Sequence, residues 1–446
     1  MKGIMVSAMG SGSGKTVLTC AMMRAFQRRG LTVSGFKCGP DYIDPMFHSR
    51  VLGGPSRNLD LFLQGPDGVR HTMSRSRGDL AILEGAMGFY DGLAGTTEAS
   101  AWKIADALDT PVILALRPRG QSVTLAAQIR GLMSFRQPSH IVALILTDCK
   151  PSLADHLRPI LERETGLPVL GCLPSLPEAE LGSRHLGLVT AAEVADLSGR
   201  FDILAESLEY NADLDLLFAL AADLVHVTRP SDSPSLPCCR IATAMDEAFS
   251  FYYQDNLDAL AQAGAELQSF SPIRDEALPD ADGLYLGGGY PELYMQALSR
   301  NESMRRSIRN GISRGLPTVA ECGGFLYLQQ SIRDEAGKEW PMAGVLPGTA
   351  FSTPRLRRFG YLTVQARTDS LLFRAGEEIP AHEFHYWDCS DCGATLSASR
   401  RNGQRWQFGY SSKTLYAGFP HLHWGGAIPM AQRFAAAARA YREGRT

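Results

Sequence analysis

From Met1 to about Leu181 the chain alternates short apolar runs with longer stretches in which apolar residues recur every three or four positions. Ile4–Ala8, Leu80–Leu83, Val112–Leu116, Ile141–Thr147 and Val169–Cys172 are of strand length, whereas Thr16–Arg29 and Ser122–Phe135 have helical spacing. Strands that read as continuous apolar runs are those covered on both faces, so this alternation predicts βαβ units with a parallel sheet between helices. Helical spacing continues from about Ala191 to Val227, and Thr228–Pro237 (TRPSDSPSLP) then turns polar and rich in turn formers. The pattern predicts an α/β protein with one domain over 1–190, a helical connector and linker over 191–237, and a second domain over 238–446. In that second part an α/β pattern restarts at Arg240–Ala244 and runs through Gly283–Leu286, Leu316–Ala320 and Gly360–Val364.

Composition narrows the class. A chain of 446 residues exceeds a single domain, and domains of ~150 residues are usual. Lys plus Arg number 44 against 47 for Asp plus Glu, a net charge of -3 that lacks the basic field duplex binding needs. No nucleic acid partner is expected. Runs such as Pro111–Leu116 are far shorter than the ~20 residues that cross a bilayer, and MKGIMVS leads straight into a strand without a signal-peptide pattern. No membrane association and a cytoplasmic location are therefore expected. Nine scattered cysteines read as reduced thiols.

Chemistry appears first in Gly10-Ser11-Gly12-Ser13-Gly14-Lys15-Thr16, which follows the first apolar run and opens a helical stretch. In that context a glycine-rich loop turns its N–H groups onto phosphates, Lys15 reaches the β- and γ-phosphates and Thr16 ligates Mg²⁺. Met9 stands where the strict pattern has its first glycine. Glu84 ends the run Leu80–Leu83, and Asp41 follows Val33–Phe36 within Lys37-Cys38-Gly39-Pro40-Asp41. Carboxylates at the C-terminal ends of parallel strands face the ligand crevice, so both are candidate metal ligands. Asp148, after Ile141–Thr147, is a candidate for reading a nucleotide base or an ordinary loop acid.

The second signal is Cys322, between the run Leu316–Ala320 and Gly323-Gly324. Strand, sharp turn and helix predict a nucleophile elbow with a thiolate facing a helix N-terminus. Gly287-Gly288-Gly289 offers backbone N–H groups to an oxyanion, and His421 and His423 offer a base. Two residues apart on an extended segment, both imidazoles are expected to face Cys322. Cys389 and Cys392 form a lone C-x-x-C, expected to be a surface loop and not a zinc site, and His382-Glu383-Phe384-His385 is expected in a strand or loop near substrate. The basic run Arg355–Arg358 reads as a solvated face or a site for an acidic substrate.

The segments KCGPDYIDP, EGAMGFYDG, DGLYLGGGYPE, ECGGFLYL and HLHW, in this order, resemble the cobyrinate a,c-diamide synthases and the related hydrogenobyrinate a,c-diamide synthases over nearly the whole chain. The resemblance implies a dethiobiotin-synthetase-like P-loop domain followed by a class I glutamine amidotransferase-like domain. It implies ATP and Mg²⁺ as cofactors, L-glutamine and a corrin (tetrapyrrole) polycarboxylate as substrates, and amidation of two acetate side chains. Under it Cys322 is the nucleophile and His421 its base. His423 occupies the place of the acidic residue in the H-x-E of ordinary triad amidotransferases, leaving the pair without a carboxylate orienter.

The implied reaction attacks the glutamine amide with Cys322, forms a substrate acyl phosphate at Gly10–Thr16 with Mg²⁺ on Thr16, Asp41 and Glu84, and passes ammonia between them along a shielded path. Hydrogenobyrinate or nickel sirohydrochlorin as substrate, a cobyric acid synthase, and a P-loop partitioning ATPase are the rival readings. The macrocycle's metal and the order of amidation stay open, and a homodimer is an assembly the reading allows.

Overall fold

The apolar runs of the N-terminal half become strands buried on both faces. They are β1 (Lys2–Ala8), β2 (Val33–Cys38), β3 (Arg57–Leu59), β4 (Leu80–Glu84), β5 (Val112–Leu116), β6 (Ile141–Thr147) and β7 (Val169–Leu173). The computed structural model describes residues 1–182, 191, 194–224 and 238–445, and the chain divides into two units, Met1–Arg229 and Pro230–Thr446. The expected linker Thr228–Pro237 lies outside the described residues.

In the first unit the strands lie in the order β3-β2-β4-β1-β5-β6-β7 and are parallel throughout. The chain leaves β1 for one side of the sheet and later returns to the other, so the crevice at the C-terminal end of β1 is a topological switch point, where open parallel sheets bind ligands. The loop after β1, the end of β4 and the ends of β5 and β6 all open there. Met5, Leu83, Leu114 and Leu144 carry the core on that sheet.

Helix α1 (Lys15–Arg28) starts directly after the glycine-rich loop. Its outer side is covered by the helix Leu197–Asn211, through Arg24 to Asp202 at 2.7 Å and Arg28 to Glu206 at 2.9 Å. The helical stretch expected in a connector therefore packs inside the first unit. A short strand β8 (Ala222–Asp223) then pairs antiparallel with β1 at Gly3 and Lys2.

The second unit is built on a sheet containing β9 (Cys239–Ala244), β10 (Ala265–Phe270), β11 (Gly283–Leu286) and β12 (Thr318–Glu321), in the order β10-β9-β11-β12 and continuing to Leu415–Gly418 and Tyr410–Ser411. The strands from β10 to Leu415–Gly418 are parallel. The expectation that α/β alternation persists through Gly360–Val364 is corrected. That run lies in Arg358–Ala366, antiparallel to Glu378–His385 and Leu396–Ser399 in a separate five-stranded sheet. From Ser331 to Leu422 the described elements are strands, two of them of 9 and 8 residues and the rest of two to four, and alternation of buried and exposed positions suits antiparallel pairing with one face on the core. No helix among the described residues is long and apolar enough to cross a membrane.

Candidate functional sites

In the first unit the loop Gly10–Gly14 is held closed by its own chemistry. Gly14 has φ 77, a left-handed turn that only glycine adopts without strain, and it hands the chain directly to α1. Ser13 Oγ donates to the Gly10 carbonyl at 2.9 Å, and Thr147 Oγ1 at the end of β6 donates to the Ser13 carbonyl at 2.7 Å. Lys15 curls back so that its Nζ donates to the carbonyls of Gly10 at 3.0 Å and Met87 at 2.7 Å. Burial, with the like charge of Lys37 added, lowers the Lys15 ammonium to about 8.

Thr16 Oγ1 donates to Glu84 Oε1 at 2.7 Å, so two of the three candidate metal ligands meet. Glu84 is fully buried and its oxygens also accept from Lys37 Nζ at 2.8 Å and pair with His48 Nε2 at 2.7 Å. Burial alone would raise this carboxyl, but Lys37 and His48 hold it well below the ordinary carboxylate range. Lys37 in turn pairs with Asp44 at 2.5 Å. Asp41 is placed differently: its Oδ1 accepts from the backbone N–H groups of Ile43 and Asp44 at 2.8 and 3.2 Å, tying down the start of the helix Ile43–Leu52. Asp148 is paired with Arg117, whose other Nη donates to the Gly12 carbonyl at 3.3 Å, so both stand at the rim of the loop. Thr16 and Glu84 are hard oxygen donors side by side, which suits Mg²⁺, an ion that takes one or two protein ligands and fills its shell with phosphate and water. Among the described residues no group of three or more His, Cys, Asp and Glu forms a metal cage.

Lys37, Asp44 and His48 were not singled out from the sequence. Lys37 carried a usable signal, a cation closing the apolar run Val33–Phe36 at the same sheet edge as Glu84. His48 lies mid-helix and carried none.

In the second unit β12 ends at Glu321 and Cys322 turns the chain sharply, with φ 47 and ψ -100, into the helix Gly323–Leu328. A non-glycine residue held at such angles stores roughly 1–3 kcal/mol, tolerated where surrounding structure over-determines it. The Cys322 N–H donates to the Gly418 carbonyl at 2.8 Å. A Cβ on Gly324 would strike the Leu286 carbonyl, so glycine is required where the helix crosses β11. Close approach also joins Cys322 to His421: a Cβ on Gly323 would lie 3.0 Å from the Gly289 nitrogen, and one on Gly288 would lie 2.6 Å from His421 Cε1. The Gly287–Gly289 turn thus touches the nucleophile's turn on one side and the imidazole on the other.

His421 and Leu422 form a two-residue strand paired with His382 and Ala381. Burial, followed by the neighbouring His382 and His385, lowers the His421 imidazole to about 3. Burial, with the Glu292 and Glu383 carboxylates nearby, pushes the Cys322 thiol up, while the Gly323 N–H opposes the shift. Burial and these carboxylates thus work against the thiolate form at Cys322, and the Gly323 N–H at the helix start works for it.

His423 lies past the strand end and has other neighbours. Its Nε2 is 3.6 Å from Asp255 Oδ2, its ring is 4.8 Å from that of Tyr253, and its Nδ1 accepts from the Gly425 N–H at 3.1 Å. The strand thus ends before His423, and the neighbours of its imidazole are Asp255, Tyr253 and Gly425. Glu383 and His385 fall on the strand next to His421, as expected of that motif. Cys389 is buried at the end of the strand Trp387–Cys389, whereas Cys392 stands in the loop beyond it, after the exposed Ser390 and Asp391, with its Sγ donating to Asp388 Oδ1 at 3.3 Å. The surface-loop expectation thus fits Ser390–Cys392 and fails at Cys389, which ends a strand of a four-stranded sheet.

Comparison with known proteins covers both units. Residues 4–189 match the CobQ/CobB/MinD/ParA nucleotide binding domain, and residues 240–427 match the CobB/CobQ-like glutamine amidotransferase domain. The cobyrinate a,c-diamide synthase of Clostridium tetani is 38% identical over 440 residues, covering 96% of this chain and 98% of the relative. That of Clostridium acetobutylicum is also 38% identical, over 442 residues with the same coverage. That of Priestia megaterium is 34% identical over 454 residues, covering 99% of this chain and 98% of its own. With relatives aligned end to end across a nucleotide-binding and an amidotransferase domain, the chain belongs to the cobyrinate a,c-diamide synthase family.

Proposed function

We propose that this chain converts cobyrinate to cobyrinate a,c-diamide, using ATP, Mg²⁺ and glutamine. The observation that carries the reading is the pairing, in one chain, of a phosphate loop whose Thr16 meets a buried Glu84 with an elbow cysteine whose turn shares the Gly287–Gly289 backbone with His421. Residues 1–190 act as the synthetase part, completed by the helix Leu197–Asn211 and the strand Ala222–Asp223, and 238–446 act as the amidotransferase part.

In the amidotransferase part glutamine binds with its side-chain carbonyl toward the Gly289 N–H, because the Gly287 and Gly288 N–H groups already donate to the Tyr252 hydroxyl at 2.8 Å and the Phe251 carbonyl at 3.3 Å, and that N–H stabilises the oxyanion. The Cys322 sulfur adds to the amide carbon while its proton passes to His421, a neutral imidazole at any physiological pH because burial keeps its proton affinity low. Burial raises the proton affinity of the thiol and lowers that of the imidazole, which favours moving the proton as sulfur bonds to carbon over a preformed ion pair. His421 returns the proton to the leaving nitrogen, ammonia departs, and water hydrolyses the thioester to glutamate. In the synthetase part an acetate carboxylate of the macrocycle attacks the ATP γ-phosphate, cradled by Gly10, Ser11, Gly12, Ser13, Gly14, Lys15 and Thr16. Thr16 and Glu84, with Asp41 as a further carboxylate, would hold Mg²⁺, which supplies charge neutralisation on the phosphates. Ammonia then displaces phosphate from the acyl phosphate.

The test is mass analysis of products after incubation with ATP, Mg²⁺, glutamine and, separately, cobyrinate, hydrogenobyrinate or nickel sirohydrochlorin. A diamide from cobyrinate is expected, and a diamide from another macrocycle alone would overturn the substrate assignment.

Two further results are expected. His421→Ala should lower glutamine hydrolysis by the ~10²–10⁴-fold typical of losing a general base, while His423→Ala, whose imidazole faces Asp255, should lower it less. Steady-state kinetics of the two variants decide this, and a larger loss at His423 reverses the roles. The second concerns protons. The free Lys15 ammonium titrates near 8, and a bound polyphosphate raises it, so nucleotide binding should take up protons near and above pH 8 and not about two units lower. Calorimetry in buffers of different ionisation enthalpy reads this uptake, and an enthalpy independent of buffer near pH 8 would refute it.

A further inference from the structure

Leu422 sits between the two histidines on an edge segment only two residues long. One side of that segment is paired with the strand Glu378–His385, and its other side faces the core, where backbone groups need partners as a sheet would supply them. Three buried side chains from three different elements supply them. Glu321 Oε1, at the end of β12, accepts from the Leu422 N–H at 3.2 Å. Asn256, on the helix Gln254–Gln262, donates through Nδ2 to the Leu422 carbonyl at 2.8 Å and accepts through Oδ1 from the Trp424 N–H at 2.8 Å. Tyr285, on β11, bridges the two: its hydroxyl accepts from Asn256 Nδ2 at 3.3 Å and donates to Glu321 Oε2 at 3.1 Å. The Tyr285 ring is also stacked on Trp424, with centroids 5.2 Å apart and planes 11° from parallel.

We propose that Glu321, Tyr285 and Asn256 form a clamp that positions His421 against Cys322 by gripping the main chain of the segment carrying it. The proposal rests on the reading of Cys322 and His421 as nucleophile and base. Position 423 holds a histidine directed at Asp255, so the clamp acts where an acidic side chain two residues after the base would otherwise act. Its geometry links the reacting groups directly, because Glu321 is the covalent neighbour of Cys322. The residue that ends the nucleophile's strand therefore also holds the base's strand, and the separation of sulfur and imidazole is set across a single side chain. A bundle of buried polar groups is a weak source of stability compared with apolar packing of the same volume, whereas a fully satisfied network fixes one arrangement. That property suits a positioning role.

The test uses the full chain and measures kcat and KM for glutamine hydrolysis, with near-UV circular dichroism and thermal unfolding as the control for an intact amidotransferase unit. Misplacing a reacting group by about 1 Å lowers turnover by ~10²-fold, so Glu321→Ala and Asn256→Ala should each lower kcat on that order while KM changes by less than about threefold. Glu321→Gln keeps an oxygen for the Leu422 N–H and should restore kcat to within about tenfold of the parent. Tyr285→Phe keeps the stack on Trp424 and removes only the bridge; it should lower kcat by about 5–10-fold without altering ammonia-driven amidation, and it serves if the alanine variants do not fold. Unchanged kcat in Tyr285→Phe, a loss confined to KM, or a Glu321→Gln variant as impaired as Glu321→Ala overturns the clamp. Cys322→Ala run alongside separates the failures: if it still hydrolyses glutamine, the reading of the site is wrong, and if it is inactive while the clamp variants run at full rate, only the clamp is wrong.

Discussion

Cys322→Ala is expected to abolish glutamine-dependent amidation, with glutamine hydrolysis falling by ~10⁴-fold or more, the scale seen when a covalent nucleophile is removed from an intact site. Ammonia added directly should still support amidation to within about threefold of the parent, because substitutions in separate compact units act nearly independently. Cys322 is the right residue to test because its position is costly to the chain. Its backbone occupies a left-handed region that its side chain resists, its N–H is tied to Gly418, and the glycines behind it leave no room for a Cβ. Alanine also tolerates that turn poorly, so near-UV circular dichroism and thermal unfolding of the variant are needed to show that its amidotransferase unit is folded. Retained glutamine hydrolysis in a folded Cys322→Ala protein would remove the thioester route.

Lys15→Ala is expected to depress both glutamine- and ammonia-driven amidation by ~10²–10³-fold, the loss that follows removal of a cation from a transferring phosphoryl group. Lys15 now donates to the Gly10 and Met87 carbonyls, partners that phosphate oxygens would replace without a change of side-chain direction. Glutamine hydrolysis measured alone should change little, which distinguishes this variant from Cys322→Ala. Turnover with ammonia at the parent rate would place the ATP site elsewhere.

How much of this was legible in the sequence follows from the range of the interactions. Gly14, Lys15 and Thr16 act through neighbours in the chain, and the buried strands of the first sheet announce themselves as unbroken apolar runs, so loop, sheet and elbow could be read directly. His48 could not, because a buried imidazole looks like a solvated one until its partner Glu84 is placed beside it, and Lys37 could be read only from its place at the end of an apolar run. Asn256, Tyr285 and Glu321 converge from three elements on one peptide group, and no local spacing relates them. Arg57–Leu59 is a strand of three residues, two of them polar, and carries too little pattern to be found. The antiparallel sheet around His421 was missed because its strands mix buried and exposed positions, so that Arg358–Ala366 shows only Gly360–Val364 as a run, and because His421 and Leu422 add to it as a strand of only two residues.

The strand that leads into the phosphate loop is fastened at its far end by residues synthesised much later. Lys2 Nζ donates to the Ala221 carbonyl 219 positions away, and Leu224 fills the space over Gly3. During translation, then, the parallel sheet stands with an unfinished seam until the ribosome has passed Leu224, and the helix Leu197–Asn211 must dock before α1 is sheltered. Loop closure over such a span is entropically slow. Nucleotide binding is thereby tied to near-completion of the whole first unit: a nascent or truncated chain stopping at residue 190 displays the full Gly10–Thr16 motif without the buttress that keeps its strand in place.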